Sequence, residues 1–343
     1  MTAPPDRLSP AASPAPRPRG HRRRRGVARY LVAVVFSLVV AIPALPDLLF
    51  GLDRRSPFVQ LVSFRPWILC GVAGLLVLLL VVLVFERRVL PFVAGVLAVL
   101  LVGAGMVLPR ALPDPVPTGG APLRVLAFNT FEGDADVDAV ARLIEATRPD
   151  AVALVEAGDD YAERLAPLVE PLGYALHATD SRRDVQGVTA VVSDRLGDVD
   201  VRIGEETSSF PYVEVTGGGL GELRFVAFHS VAPVPGSVPD WNSDLALLPQ
   251  WCSGPTPAVV AGDFNATLDH SALRAGTAGC GDAGEQRGAG LVPTWGPSPR
   301  IRGLGPQIDH VFATDGITAE TFDVHDVADS DHRAVVTTLR LPG

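Results

Sequence analysis

The stretch Ala258-Val259-Val260-Ala261-Gly262-Asp263-Phe264-Asn265-Ala266 decides the fold. An apolar run of strand length ends in an acid, and an amide follows two residues later. The run is short and bounded by Pro257 and Gly262, so it reads as a buried strand. The ends of rigid buried strands are where an α/β scaffold displays functional groups. The same pattern recurs on either side. Asn129 ends Val125-Leu126-Ala127-Phe128, Glu156 ends Val152-Ala153-Leu154-Val155, and His229 ends Phe225-Val226-Ala227-Phe228. Asp309 and His310 begin an apolar run, and Asp331 and His332 precede another. One such residue reads as a turn or a cap. Repetition at six run ends points to a shared cleft.

Leu123–Asn129 alternates as a strand, and Ala151–Glu156 is a short buried one. Further strands are expected at Val188–Ser193, Tyr212–Thr216, Leu223–His229, Ala258–Asp263, Ile308–Thr314 and Ala334–Leu341. Val137, Val140, Ala141 and Ile144 have helical spacing, and Arg148-Pro149 stops that helix. A second helix is expected over Trp241–Trp251. Many close-spaced strands mixed with helices predict an α/β fold of two packed sheets with helices outside, over residues 122–343. No internal repeat is present.

The chain before this domain has a different composition. Residues 1–26 are rich in Pro, Ala, Ser and Arg and end in His21-Arg22-Arg23-Arg24-Arg25; they cannot bury a core and are expected to be disordered. Residues 27–108 hold three apolar segments, Ala28–Phe50, Trp67–Phe85 and Val89–Leu108. Each is long enough, or nearly so, for the ~30 Å hydrocarbon layer. Pro43, Pro46 and Asp47 make the end of the first irregular. Two more apolar segments follow it, which argues against a cleaved signal peptide. Residues 109–121 read as a Pro/Gly linker. The arginine-rich tail predicts a cytoplasmic N-terminus, and three spans then put the domain on the outer face of the cell membrane. Arg54, Arg55 and Arg65 in the outer loop count against this orientation.

From Gly120 onward, 15 Arg face 33 Asp and Glu, a formal charge of −18. That balance disfavours general nucleic-acid binding, which needs clustered cations. Cys252 and Cys280 are either a disulfide, if the domain is outside the cytoplasm, or two buried thiols. Cys70 lies in an apolar run.

Carboxylates, an amide and water suit a hard cation such as Mg²⁺ or Mn²⁺, which can polarise a phosphoryl oxygen. A neighbouring carboxylate can orient or deprotonate water. A histidine can hydrogen-bond the phosphoryl oxygens, with a second carboxylate fixing its tautomer.

Six motifs in order carry a resemblance: Leu126-Ala127-Phe128-Asn129-Thr130, Ala153-Leu154-Val155-Glu156, Phe228-His229-Ser230, Gly262-Asp263-Phe264-Asn265-Ala266, Ile308-Asp309-His310-Val311 and Ser330-Asp331-His332-Arg333. The domain resembles the endonuclease/exonuclease/phosphatase superfamily, which includes pancreatic-type DNases, abasic-site nucleases, inositol polyphosphate 5-phosphatases and neutral sphingomyelinases. The resemblance implies a four-layer α/β sandwich, here preceded by three transmembrane helices. It implies Glu156 as the principal metal ligand with Asn129 and Asp331 nearby, and Asp263 orienting or activating water. Asn265 would contact phosphate and help place Asp263. His332 would stabilise the transition state with Asp309 fixing its ring, and His229 would be a second phosphate-facing histidine. Val155 departs from the Gln that the family often has before its metal-binding Glu. Arg182 and Arg183 fall in a region that contacts substrate in the family, although an exposed charge pair is the plainer reading. Trp295, in the loop Thr294–Pro297 that leads to Arg300 and Arg302, is expected either to border the site or simply to pack. His177, His270 and His325 lack motif context, and strand alternation turns His310 away from the face of Asp309.

The expected function is metal-dependent hydrolysis of a phosphoester or pyrophosphate at the outer membrane face. The bilayer is the expected partner and a lipid-linked phosphate a candidate substrate. The layout also resembles membrane phosphoesterases associated with teicoplanin-type glycopeptide resistance, a group thought to act on polyprenyl-phosphate carriers. The alternatives are a membrane-tethered extracellular nuclease and a binding module with a dead site.

Overall fold

The computed structural model describes residues 20–181, 183–298 and 300–342. The tail expected for residues 1–19, and Arg182, lie outside the described residues. Helix α1 spans Gly20–Ala44. Residues 20–26, read from sequence as part of a disordered tail, are therefore helical. An apolar helix already nucleated can extend backward through arginine, a good helix former. Helices α2 (Phe58–Val62), α3 (Arg65–Phe85) and α4 (Leu90–Val107) follow. The segments Val27–Ala44, Arg65–Phe85 and Arg87–Ala111 are long and apolar enough to cross a membrane.

The rest of the described chain forms two mixed six-stranded sheets. The first contains β1 (Ala121–Asn129), β2 (Ala151–Val155), β3 (Tyr174–Ala178), β4 (Val188–Ser193), β11 (Thr318–Asp326) and β12 (Arg333–Leu341), in the order β11-β12-β1-β2-β4-β3. The second contains β5 (Val199–Gly204), β6 (Tyr212–Gly217), β7 (Arg224–His229), β8 (Ala258–Asp263), β9 (Cys280–Asp282) and β10 (Asp309–Thr314), in the order β5-β6-β7-β8-β10-β9. The pairs β1–β2 and β7–β8 are parallel. Alternate residues of the central strands face inward: Val125, Ala127, Ala153, Val155, Ala227, Val259, Ala261 and Val311 form one buried layer between the sheets. The small alanines let the two layers approach closely.

Helices α5 (Val137–Thr147) and α6 (Asp159–Val169) cover the outer face of the first sheet. Asp136 caps α5 by accepting a hydrogen bond from the Ala139 N–H at 3.0 Å. Helices α7 (Val238–Leu245), α8 (Pro249–Cys252) and α9 (Ser271–Gly276) cover the second sheet, and α10 (Ala283–Gln286) follows β9. The single helix expected over 241–251 is thus two. Pro249 has no N–H to continue the ladder, so it begins a new helix instead. Cys252 and Cys280 form a disulfide.

The apolar helices are not loosely tethered. Arg65, fully buried at the start of α3, donates to the Ala44 carbonyl at 3.0 Å and to Asp269 at 2.7 Å, and pairs with Asp47. Arg110, inside the stretch read as a linker, meets the same Asp269 at 3.0 Å, and Arg274 holds Asp47 at 2.7 Å. Val59 joins the buried cluster of Trp241, Phe264 and Leu273. Its carbonyl accepts from His270 Nε2 at 2.9 Å; the Thr267 N–H occupies Nδ1, which leaves the proton on Nε2.

Candidate active site

Strand register brings the site together. His229, Asp263 and Asp309 lie side by side on adjacent strands β7, β8 and β10. Asn129 pairs with Val155 across β1 and β2, so that Glu156, one residue on, stands beside it. Asp331 and His332 arrive on the turn before β12. All eight residues singled out in the sequence therefore meet where the two sheets end together.

Backbone conformation aims several of them. Glu156 and Asn265 adopt left-handed φ values of 54° and 46°. Such values are uncommon for non-glycine residues and collect at functional sites. Gly262 sits at φ 143°, and a Cβ there would collide with the Phe228 carbonyl oxygen. Only glycine lets β7 and β8 close up just before Asp263.

Asn129 links the two sheets. Its Nδ2 donates to Glu156 Oε1 at 2.9 Å and to Asp263 Oδ2 at 3.0 Å, while its Oδ1 accepts the Phe131 N–H at 2.8 Å. The Glu132 N–H donates to Glu156 Oε2 at 2.7 Å. The Asn265 N–H donates to Asp263 Oδ1 at 2.7 Å, and Asn265 Nδ2 donates to the Ser230 carbonyl at 2.9 Å. On the facing side, His332 Nδ1 lies 2.9 Å from Asp309 Oδ2, and His332 Nε2 lies 3.7 Å from Asp263 Oδ2 and 3.9 Å from Asp331 Oδ1. Trp295 Nε1 donates to Asp331 Oδ2 at 2.9 Å, so this tryptophan borders the site.

Further residues support the cluster, and among them only Ser330 belongs to a motif. Thr294 Oγ1 accepts the Ile308 and Asp309 N–H groups, both at 3.0 Å. Ser330 Oγ donates to the Asn129 carbonyl at 2.9 Å and accepts the His332 N–H at 3.0 Å. Arg302 Nη1 reaches the Val327, Ser330 and His332 carbonyls at 2.8–2.9 Å, which fixes the turn and makes Arg302 structural. Phe210 stacks on His229 at 4.3 Å between centroids. Their hydroxyl, guanidinium and ring groups act through partners distant in sequence; in the chain they resemble any loop residue. His310 faces the other way, its ring nitrogens meeting Asp282 Oδ2 at 2.8 Å and the Ala266 carbonyl at 3.0 Å.

Burial sets the protonation states. Burial, reinforced by the Asp309 charge, pushes Asp263 up to about 7. Burial alone would lower His332, but Asp309, then Asp263 and Asp331, overcome it and raise the imidazole to about 9. Burial, with the His332 charge adding to it, drives His229 down to about 3. His229 is thus neutral, and its approaches of 3.9 Å to Glu156 and 3.8 Å to Asp263 are not ion pairs. Burial also raises Glu156 and Asp331.

The donor set fits a divalent cation. Four carboxylates, Glu156, Asp263, Asp309 and Asp331, converge on one protonated imidazole, leaving an excess of buried negative charge. Among the described residues, Asp309 Oδ1 and Asp331 Oδ1 are buried without a hydrogen-bond partner. Asp263, Asp309 and His332 place ligand-type atoms within 4.8 Å of one another. His332 Nδ1 is engaged by Asp309 at 2.9 Å, and Nε2 faces Asp263 and Asp331. That trio reads as an acid–base group, with the hard-oxygen positions on the side of Glu156 and Asp331.

The Endonuclease/Exonuclease/phosphatase family profile matches residues 126–332. Among solved structures, a family protein from Bacteroides thetaiotaomicron is 13% identical with a TM-score of 0.51, covering 66% of this chain and 100% of its own. A functionally unknown conserved protein from Enterococcus faecalis is 12% identical with a TM-score of 0.50, covering 63% and 99%. An endonuclease/exonuclease/phosphatase from Beutenbergia cavernae is 23% identical with a TM-score of 0.49, covering 65% and 72%. No curated protein sequence matches the chain. With the profile spanning every motif from Leu126 to His332, and two facing mixed sheets presenting their polar strand ends in one cleft, the chain belongs to the endonuclease/exonuclease/phosphatase family.

Proposed function

We propose that this chain is a divalent-metal-dependent phosphoesterase that hydrolyses a phosphoester or pyrophosphate, on a lipid-linked substrate, at the outer face of the cell membrane. The observation that carries the chemistry is the opposition of the Asp263 carboxyl group and the His332 imidazole across 3.7 Å. A general base works best with a pKa near the working pH, and Asp263 at about 7 meets that condition.

Glu156 and Asp331, with Asn129 beside them, would hold Mg²⁺ or Mn²⁺. The cation would polarise a phosphoryl oxygen and offset the charge that develops on it. Asp263 would orient the attacking water and accept its proton. Asn265 holds Asp263 through its backbone N–H and would contact the phosphate. His332 would donate from Nε2 to a phosphoryl oxygen, while Asp309 secures Nδ1 and so fixes which nitrogen points inward. His229, neutral and stacked on Phe210, would present a dipole, without a charge, to the same oxygens.

Three observations support the location. The described chain begins with three helices of spanning length and composition. The Arg22–Arg25 cluster lies at the start of the first helix, before its apolar span Val27–Ala44, and arginine favours the cytoplasmic side. Cys252 and Cys280 are paired, as expected in an oxidising compartment. The test is a phosphate-release screen of the full chain in lipid nanodiscs, against polyprenyl phosphates and pyrophosphates, sphingomyelin, inositol phosphates and duplex DNA. Release confined to lipid phosphates supports the reading. Plasmid nicking with no lipid turnover would replace it with a nuclease.

A further inference from the structure

Beside the catalytic cluster lies an apolar groove of roughly 240 Å³. One wall comes from the segment that joins the membrane-type helices, with Gln60 and Phe64. The opposite wall is the loop Ala232–Val234 that follows β7, and Ile308 lies at the base. Its inner end is formed by Asn265 and Trp295. Both are tied to the site: Asn265 donates its N–H to Asp263 and Trp295 donates to Asp331.

The outer end of the groove meets the apolar helices. Phe64 is 37% exposed and directly precedes α3, which begins at Arg65. Val234, Trp67 and Leu304 stand 53%, 54% and 58% exposed. Trp67, which lines the neighbouring cavity, donates through Nε1 to the Leu304 carbonyl at 3.0 Å, so the start of α3 is tied to the sheet half of the molecule. Tryptophan at the end of a span is characteristic of the membrane–water boundary. Gln60 Nε2 donates to the Pro233 carbonyl and pins the two walls together. A groove of this composition would be poorly hydrated and unsuited to a sugar. It runs from the reacting carboxylates to the level at which α3 begins.

We propose that this groove seats the hydrocarbon chain next to the scissile phosphate, making the substrate an amphiphile whose chain leaves the bilayer between Phe64 and Val234. The inference rests on the phosphoesterase reading and names its substrate class. The segment joining the first two spans is then part of the substrate site as well as of the anchor.

The test compares isopentenyl phosphate with geranylgeranyl phosphate, using the full chain in nanodiscs with Mg²⁺. The longer ester, concentrated in the bilayer and seated in the groove, should be favoured by on the order of tenfold or more in kcat/KM, and variants of the groove lining leave the partitioning unchanged. Ala232→Trp fills the groove from an exposed position, and Val234→Glu places a charge in it. Each should erase the preference by lowering kcat/KM for the longer ester. An alkyl phosphate carrying a diazirine along its chain supplies a readout independent of turnover, with label expected on Phe64 and Val234. Equal kcat/KM for the two esters, or label elsewhere, overturns the groove assignment while phosphoesterase activity stands. Label in the groove without hydrolysis of any phosphoester upholds the groove and removes the catalytic reading.

Discussion

Asp263 and His332 face one another at 3.7 Å although they belong to different sheets, Asp263 at the end of β8 and His332 at the turn into β12. Their opposition exists only when the two layers are packed, so the proposed proton transfer depends on tertiary packing. Asp263→Asn should lower kcat/KM by ~10²–10⁴-fold, the usual contribution of a positioned base. His332→Ala should lower it by ~10²–10³-fold, as loss of a transition-state donor does. Circular dichroism checks that the fold is kept. Turnover by Asp263→Asn within a few-fold of wild type would exclude the base assignment.

Chelation offers a second check. The cluster of carboxylates around His332 carries more negative charge than one imidazole balances, so EDTA should abolish turnover and Mg²⁺ or Mn²⁺ should restore it. Glu156→Gln should require a higher metal concentration for half-maximal rate. Unimpaired activity in chelator would rule out the cation.

The contact between the apolar helices and the sheets is testable through Asp269, which accepts a hydrogen bond from Arg65 at 2.7 Å and pairs with Arg110 at 3.0 Å. Asp269→Asn leaves the buried Arg110 guanidinium without its counter-charge, while Arg65 keeps Asp47; breaking a buried pair by removing one partner typically costs about 3–5 kcal/mol. A thermal melt of the full chain in detergent should shift down accordingly. An unshifted melt would mean the network contributes no net stability.

His310 predicts a pH dependence of stability. Both ring nitrogens face acceptors, Asp282 and the Ala266 carbonyl. Burial alone would lower its pKa, but Asp282 outweighs that and holds it above the ordinary value. A raised folded pKa means that protonation favours the native state. The contribution is complete below the unfolded value of about 6.5 and is lost as pH rises through the folded one. The melting temperature should therefore decline with increasing pH above that point, and Asp282→Asn should flatten the decline. An identical slope in the variant would assign the dependence to other groups.

The polar strand ends were legible because each is local: an apolar run stops at Asn129, Glu156, His229 or Asp263, and the run itself fixes the position. The central strands were legible for the same reason. The strands β3, β5, β9 and β11 were not anticipated. Two of them, β5 and β11, are largely uncovered, and their alternation is diluted by exposed residues. The ion network was invisible because Arg65 and Asp269 lie 204 residues apart. In sequence, Arg65 reads as a loop charge and Arg110 as part of a linker. The supports at Thr294 and Arg302 were also hidden, as was what Ser330 does inside its motif, since hydrogen bonds to backbone groups across a fold leave no periodic signal.

The engagement of Val59, Arg65 and Arg110 with the sheets bears on any attempt to study the catalytic half alone. A chain cut at residue 121 would keep every reacting group yet strand Asp269 without its two guanidinium partners. It would also leave His270 without its carbonyl and open the slot that Val59 fills beside Trp241 and Phe264. Such a fragment would be a damaged protein, and inactivity measured on it would report the wound.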